Sequence, residues 1–230
     1  MVNGIIVSTA GEADLLLVKL DQKETLALQH KPFFSGTLNG RTAAVICICG
    51  VGKANAAHGT TLLLERFGPD HVYSIGVAGA YPGSGLDIGD AAVAENEFYG
   101  DEGLITRNGF HTIDVLGLTL ASVDGINYYN KFPMVVPEAF KAGKPKGNFV
   151  SVSACTGTRT AAIEIERRFD AICENMEGAA VAHICALNNV PVSEIRVISN
   201  IIGDRDTKPL ETAAVRIASE KVQQLLLENI

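Results

Sequence analysis

Much of what a 230-residue chain can do is limited here by what it lacks. No apolar run reaches the roughly eighteen residues that a membrane-spanning helix needs, so no transmembrane segment is expected. Basic residues are in the minority: 19 Lys and Arg against 26 Asp and Glu leave a net charge of −7. Nucleic acids and anionic membranes select basic surfaces and are excluded as partners, whereas a small anionic ligand needs only local charge. The opening MVNGIIVSTAGEADLLL has neither a basic leader region nor a cleavage site, and a cytoplasmic, untargeted protein is expected. There is no tryptophan and no Cys-x-x-Cys pair. Five cysteines is an odd number; Cys47 and Cys49 share one face of AVICICG, and His183 and Cys185 in HIC are not at zinc spacing. The thiols read as reduced and buried, and no metal site is expected.

What remains is a chain that is 47% hydrophobic and 20% charged, enough for one large domain over residues 1–230. Short runs rich in Val and Ile alternate with helix-period stretches. GIIVS precedes EADLLLVKLDQKETLAL, read as a helix, and RTAAVICICGVG precedes KANAAHGTTLLLERFG. HVYSIGVAGA and DAAVAENEFYG are strands, NFVSVSACTGT leads to the helix RTAAIEIERRF, and EGAAVAHICALNN leads to PVSEIRVIS. This alternation predicts a three-layer α/β/α sandwich around a mixed, largely parallel sheet. Residues 100–147 break the rhythm with scattered Gly, Asn and Pro, and read as a long excursion that shapes a pocket or a subunit contact.

Open α/β sheets bind ligands beyond the carboxyl ends of their strands, so the candidate residues are those that follow each strand. Glu12 follows GIIVS at a predicted helix start, where it serves either the helix dipole or as a general base for water. GVGK, Gly50 to Lys53, lacks both the full phosphate-loop and the full dinucleotide pattern and reads as a tight turn. Glu177 opens the buried helix GAAVAHICAL; it either caps that helix or, ionised and accepting only, holds two adjacent hydroxyls such as those of a ribose. Arg196, inside a strand, needs anionic partners, with Glu177 and Asp204 as candidates. Asn200 ends the same strand, either tying down the loop after it or facing a ligand.

The segments GIIVSTAGEADLLL, GTLNGRTAAVICICGVGKANAAHGTTLLLERFGPD, GVAGA, LDIGDAAVAENEFYGD, ENMEGAAVAHICALNNVP and IRVISN resemble the purine nucleosidase branch of the nucleoside phosphorylase superfamily over nearly the whole chain. Its best-known members cleave methylthioadenosine and adenosylhomocysteine. The resemblance implies that Glu12 activates water and that Glu177, with Met176 beside it, holds the ribose hydroxyls. Val77 and Ala78 stand in the turn near the ribose, where Val77 replaces a frequent Ser and leaves only backbone contacts. Cys155 and Thr156 align with the residues flanking adenine, and Arg196 positions its neighbours. Asn200 stands where these relatives carry an Asp that contacts the purine. An amide has two N–H donors, which suit the N7 and O6 acceptors of a 6-oxopurine.

YGDEGLITRNGFH, YYNKFP, SVSACTGT and ISNIIGDRD resemble the futalosine hydrolase subgroup more closely still. Its substrate is a hypoxanthine nucleoside with a 3-carboxyphenyl arm, cleaved in menaquinone biosynthesis. The excursion would then cover that arm, and Arg205 or Arg107 would pair its carboxylate. No cofactor is required. The resemblance also implies a homodimer or higher homo-oligomer, with the apolar loop from Phe132 to Val136 at the contact.

Overall fold

The computed structural model describes residues 1–204 and 212–230. Its strands are β1 (Val2–Val7), β2 (Leu20–Leu28), β3 (Lys31–Leu38), β4 (Thr42–Ile48), β5 (His71–Ala80), β6 (Ala91–Tyr99) and β7 (Gly103–Thr106). There follow β8 (Gly109–Thr112), β9 (Ala121–Val123), β10 (Ile126–Tyr128), β11 (Lys131–Pro133), β12 (Lys146–Ser151), β13 (Ala171–Asn175) and β14 (Val192–Ile201). The helices are α1 (Asp14–Val18), α2 (Lys53–Phe67), α3 (Arg159–Phe169), α4 (Gly178–Leu187) and α5 (Thr212–Asn229).

Among the described residues ten strands share one sheet, ordered β11-β6-β12-β13-β5-β1-β4-β3-β2, with β14 between β5 and β6. The central ladders of β1 with β4 and β5, and of β5 with β14, are parallel. Antiparallel pairing of β13 with β5 and of β14 with β6 closes β5, β14, β6, β12 and β13 into a ring. The α/β sandwich is thus a mixed sheet that curls shut at one end.

Period-2 alternation explains why these strands read as apolar on both faces. Ile6, Cys47 and Ala78 join a core beneath α2 and α4, while Ile5, Ile46 and Ile75 join a second core with Ala218, Val222 and Leu226 of α5. Helix α4 is apolar nearly all round, consistent with its burial between the sheet and α2. Helix α2 stops at Gly68, whose left-handed φ of 53° suits a residue without Cβ. No helix among the described residues is long and apolar enough to cross a membrane.

The stretch from Glu12 to Leu28 departs from its expected helix. Only Asp14–Val18 is helical, and the chain then becomes β2, antiparallel to β3. Five residues are too few to sustain a helix in isolation, and the ladder to β3 satisfies the backbone beyond it. Gln22, at φ 51°, marks the irregularity between Asp21 and Glu24 in that ladder.

Residues 100–147 are more ordered than a loop: hairpins β7–β8 and β9–β10, then β11, which extends the sheet beside β6. Asn130 anchors them, donating to the carbonyls of Tyr99 (2.9 Å) and Glu102 (2.6 Å) while accepting from the Ile113 N–H (2.8 Å). The loop expected to offer apolar side chains to a neighbouring subunit is partly spent inside the molecule. Phe132 is 1% exposed, stacked on Tyr128 and His183 at 5.4 and 4.8 Å, and Met134 is also buried; their apolar surface is covered by this chain's own core. Phe132→Ala should therefore destabilise the fold by about 3–5 kcal/mol, read as a lower urea midpoint at unchanged slope. A shift below about 1 kcal/mol would show that the excursion contributes little to the core.

Candidate active site

The ends of β1, β5, β13 and β14 meet around a cavity of about 240 Å³. Eight sequence-predicted residues line it: Glu12, Val77, Ala78, Cys155, Thr156, Met176, Glu177 and Asn200. The ninth, Arg196, lies behind the lining, 1% exposed.

Glu12 ends a single 3-10 turn, Ala10–Glu12, that begins directly after β1. Its carboxylate folds back onto the turn: Oε2 accepts from the Thr9 N–H and hydroxyl, both at 3.0 Å. Oε1 accepts from the Val77 N–H of β5 at 3.1 Å. A Cβ on Gly76 would lie 2.6 Å from Oε1, so a glycine at this position makes room for the carboxylate. Three donors from two strand ends fix one orientation for a side chain that is nearly buried yet borders the cavity.

Glu177 is the N-cap residue of α4, but its side chain does not cap the helix. Asn175 does that work: its Oδ1 accepts from the N–H groups of Glu177 (2.9 Å) and Gly178 (2.7 Å). Ser151 Oγ accepts from the Ala179 N–H at 2.8 Å. The Glu177 carboxylate instead accepts from the Gly52 N–H at 2.9 Å, so the GVGK turn acts here as a carboxylate anchor. Beyond the turn, the Lys53 ammonium pairs with Asp101 and with Glu102 (3.1 Å). Asp101 also accepts from the Ser153 N–H at 2.7 Å. Burial opposes ionisation of Asp101, but the hydrogen bonds from Lys53 and Ser153 prevail and hold its carboxyl below the usual range.

Arg196 meets one of its two expected partners, Glu177, and takes Glu194 in place of Asp204. Its Nε donates to Glu194 Oε1 at 2.7 Å, and one terminal nitrogen stands 3.7 Å from Glu177 Oε2 and 3.4 Å from the Val77 carbonyl. The other terminal nitrogen reaches Ser74 Oγ at 3.3 Å. Asp204 instead accepts from the Arg159 N–H at 2.9 Å, at the start of α3. Burial disfavours the charged guanidinium, but Glu194, Glu177 and Glu12 together prevail and raise its pKa.

Gly79 of β5 is paired with Asn200 of β14 on one side and Glu174 of β13 on the other. Both flanking side chains line the cavity. The Ser199 hydroxyl lies 3.1 Å from Asn200 Oδ1 and 3.3 Å from the Ala78 carbonyl. With Oδ1 on the Ser199 side, Nδ2 makes no hydrogen bond to the described residues; a Cβ on Gly79 would sit 3.1 Å from it. Glu174 is a cavity residue that the sequence reading misses, although a carboxylate next to Ala171, Ile172 and Cys173 is itself a signal. It accepts from the Thr156 N–H (2.8 Å) and hydroxyl (2.6 Å) and from the Tyr81 hydroxyl (3.2 Å).

Arg107 sits in the β7–β8 turn, away from the cavity lining, and Arg205 and Asp206 lie outside the described residues. Cys47, Cys49, Cys173 and Cys185 are buried thiols; burial is the main reason that Cys49 is pushed up to about 12, with Glu177 adding to it. Cys155 is exposed in the cavity wall, contrary to the expectation for the thiols, because it lies in the loop after β12 rather than on a strand.

A family model described as the phosphorylase superfamily matches residues 3–230. A 5'-methylthioadenosine/S-adenosylhomocysteine nucleosidase of Maridesulfovibrio salexigens is 32% identical over 97% of this chain and 96% of its own. One from Halalkalibacterium halodurans is 30% identical over 94% of each. Among solved structures, the S-adenosylhomocysteine nucleosidase of Streptococcus pyogenes has a TM-score of 0.83 at 22% identity, covering 99% of this chain and 94% of that one. The futalosine hydrolase of Helicobacter pylori has a TM-score of 0.80 at 21% identity, covering 98% and 95%. At these identities the two structures bear on the fold alone.

Replacing Arg196 by Met leaves the Glu194 and Glu177 carboxylates buried without their cation. The expected cost is about 3–5 kcal/mol, measured by urea unfolding. A variant as stable as the parent would mean that the guanidinium is not the partner on which these carboxylates depend.

Proposed function

The chain belongs to the phosphorylase superfamily, and we propose that this N-ribosyl hydrolase cleaves a 6-oxopurine nucleoside of the futalosine type, releasing hypoxanthine. The observation that carries the base preference is the pair of side chains flanking Gly79. Hypoxanthine presents acceptors at N7 and O6 and a donor at N1–H, whereas adenine presents a donor at its 6-amino group and an acceptor at N1. On one side the Asn200 amide can donate toward N7 and O6. On the other, the Glu174 carboxylate is an acceptor suited to N1–H and opposed to the N1 lone pair of adenine. The Thr156 N–H, a possible partner for adenine N1, is engaged by Glu174.

The reaction follows from the same geometry. Glu177 accepts the O2′ and O3′ hydroxyls and fixes the sugar while Gly52 and Arg196 hold its carboxylate. As the C1′–N9 bond lengthens, the sugar gains oxocarbenium character and negative charge moves into the base. N–H donors already aimed at N7 and O6 stabilise that charge without reorganising. Glu12 takes a proton from the water that attacks C1′. Hydrolysis is favoured over phosphorolysis because the turn VSTAGEAD after β1 places Glu12, and no arginine, at the cavity.

A larger groove of about 820 Å³ shares Thr9, Val215 and Ser219 with the cavity. It supports a nucleoside with a long 5′ extension; Arg216 on its wall is paired with Glu220 at 3.0 Å, so a terminal carboxylate would have to displace that partner. A second reading, cleavage of methylthioadenosine or adenosylhomocysteine, is favoured by the names of the relatives at 30–32% identity. That reading needs adenine to sit against Asn200 and Glu174.

Incubation with futalosine and with methylthioadenosine, with and without phosphate, followed by chromatography of the free purine, separates the two. Hypoxanthine released independently of phosphate is the expected product; adenine from methylthioadenosine with futalosine untouched would move the assignment to the second reading. Glu12→Gln should lower kcat by about 10²–10⁴-fold with nucleoside affinity nearly unchanged. An equal loss of binding would make Glu12 a structural residue. Asn200→Asp should reduce kcat/KM on the hypoxanthine nucleoside by about 10²-fold, since an ionised carboxylate faces O6 in place of a donor. Undiminished turnover would remove Asn200 from base recognition.

A further inference from the structure

Two carboxyl groups that the reaction does not use, Glu97 of β6 and Glu194 of β14, are both 0% exposed and face each other behind the site. Side chains from four strands of the closed ring converge on them. Asn175 of β13 donates its amide to Glu97 Oε1, and the Ser151 hydroxyl of β12 lies 3.3 Å from Glu97 Oε2 and 3.0 Å from Asn175 Oδ1. The Phe98 N–H also reaches Glu97 Oε2, at 3.0 Å. Glu194 Oε1 accepts from Arg196, while Glu194 Oε2 is buried with no donor among the described residues. A Cβ added to Gly178, the first residue of α4, would collide with Glu97 Oε1 and with both Glu194 oxygens, so the two groups close on the same point.

We infer that Glu97 and Glu194 hold one proton between them, and that the resulting hydrogen bond makes Glu97 a positioning residue for Arg196 and, through it, for Glu177. Two ionised carboxylates facing each other out of water repel strongly, and Arg196 is already shared among Glu194, Glu177 and Glu12. A proton on Glu97 removes that repulsion and supplies the donor that Glu194 Oε2 lacks. Burial first, and then the Glu194 charge, push the Glu97 carboxyl well above the usual range, against the opposing pull of Asn175 and Arg196. Burial likewise raises Glu194, with Arg196 opposing it, which leaves Glu194 the better candidate for the anion. The other neutral titratable groups that feel Glu97, the Cys173 thiol and the Tyr81 and Tyr99 phenols, are each pushed up chiefly by burial and stay neutral.

The arrangement separates two jobs. Asn175 uses its Oδ1 to cap α4 beneath Glu177 and its Nδ2 to hold Glu97. Arg196 uses Nε to hold Glu194 and a terminal nitrogen to approach Glu177. The protonated pair is thus the base on which both supports of the ribose-facing carboxylate rest. The shared proton is independent of the substrate; only its effect on turnover rests on the function proposed above.

The test uses the wild type with Glu97→Gln and Glu97→Leu. Gln keeps an N–H donor toward Glu194 and should retain kcat within about threefold, whereas Leu removes the donor and should lower kcat by about 10²-fold as Glu177 loses its position. Linkage gives the second readout. The native wild type keeps a proton that the unfolded chain releases above the ordinary glutamate range, so the stabilisation from this raised pKa is full below that range and declines as pH rises. Relative to the Gln variant, the wild-type folding constant should fall as pH rises above the ordinary glutamate range, by up to about tenfold per unit. The wild type alone should also show an infrared carbonyl band of a protonated carboxylic acid at neutral pH. Parallel stability curves, or absence of that band, would overturn the shared proton whatever the substrate. A Gln variant as slow as the Leu variant at equal folded fraction would overturn the positioning role. If neither variant folds, the wild-type spectrum still decides the protonation.

Discussion

The Arg196 guanidinium is the interaction on which the rest of the site depends. A buried cation of this kind is costly unless its donors are matched, and here Glu194, Ser74, the Val77 carbonyl and Glu177 surround it. Arg196 lies on β14 between the strand that carries Val77 and the strand that carries Glu97, so the ring closure brings these groups together. Its charge is one reason that several carboxylates can gather so close to a cavity. Without it, Glu177 would be a buried anion held mainly by one backbone N–H.

Glycines set the spacing at the points of closest approach. Gly76 leaves room for Glu12 and Arg196, Gly79 lies between Asn200 and Glu174, and Gly178 stands against the Glu97–Glu194 pair. A side chain at the first or third of these positions would drive a carboxylate from its place. Such residues contribute no functional group, yet they determine whether polar side chains on neighbouring strands can converge.

The sequence was most readable where function coincides with strand ends. Glu12, Glu177 and Asn200 each follow or end an apolar run, and the rule that ligands lie beyond such ends brought them forward before any contact was known. It was least readable where tertiary pairing decides. DQKETLAL has polar residues enough for an exposed helix, and only the ladder to β3 makes it a strand. Glu97 and Glu194 resemble the outward positions of ordinary alternating strands; their burial follows from a ring closure that no local pattern encodes. The expectation that Glu177 caps α4 failed for a related reason: Asn175, two residues earlier, is turned by the end of β13 toward the same N–H groups.

On the proposed function, recognition and chemistry are divided between the two sides of β5. Toward β1, Glu12 is held by donors from Thr9 and Val77, where a water could approach C1′. Toward β13 and β14, Glu174 and Asn200 line the cavity with an acceptor and a donor. Changing the side chains at Asn200 and Glu174 need not disturb Glu177, because Glu177 and Arg196 are fixed from behind the cavity. That separation provides a physical reason why relatives could share the fold and the hydrolytic apparatus while reading different purines. On the proposed function, the parts of this chain that would determine the base are the amide of Asn200 and the carboxylate of Glu174. The parts that would determine the bond broken are the Glu12 turn and the supports beneath Glu177.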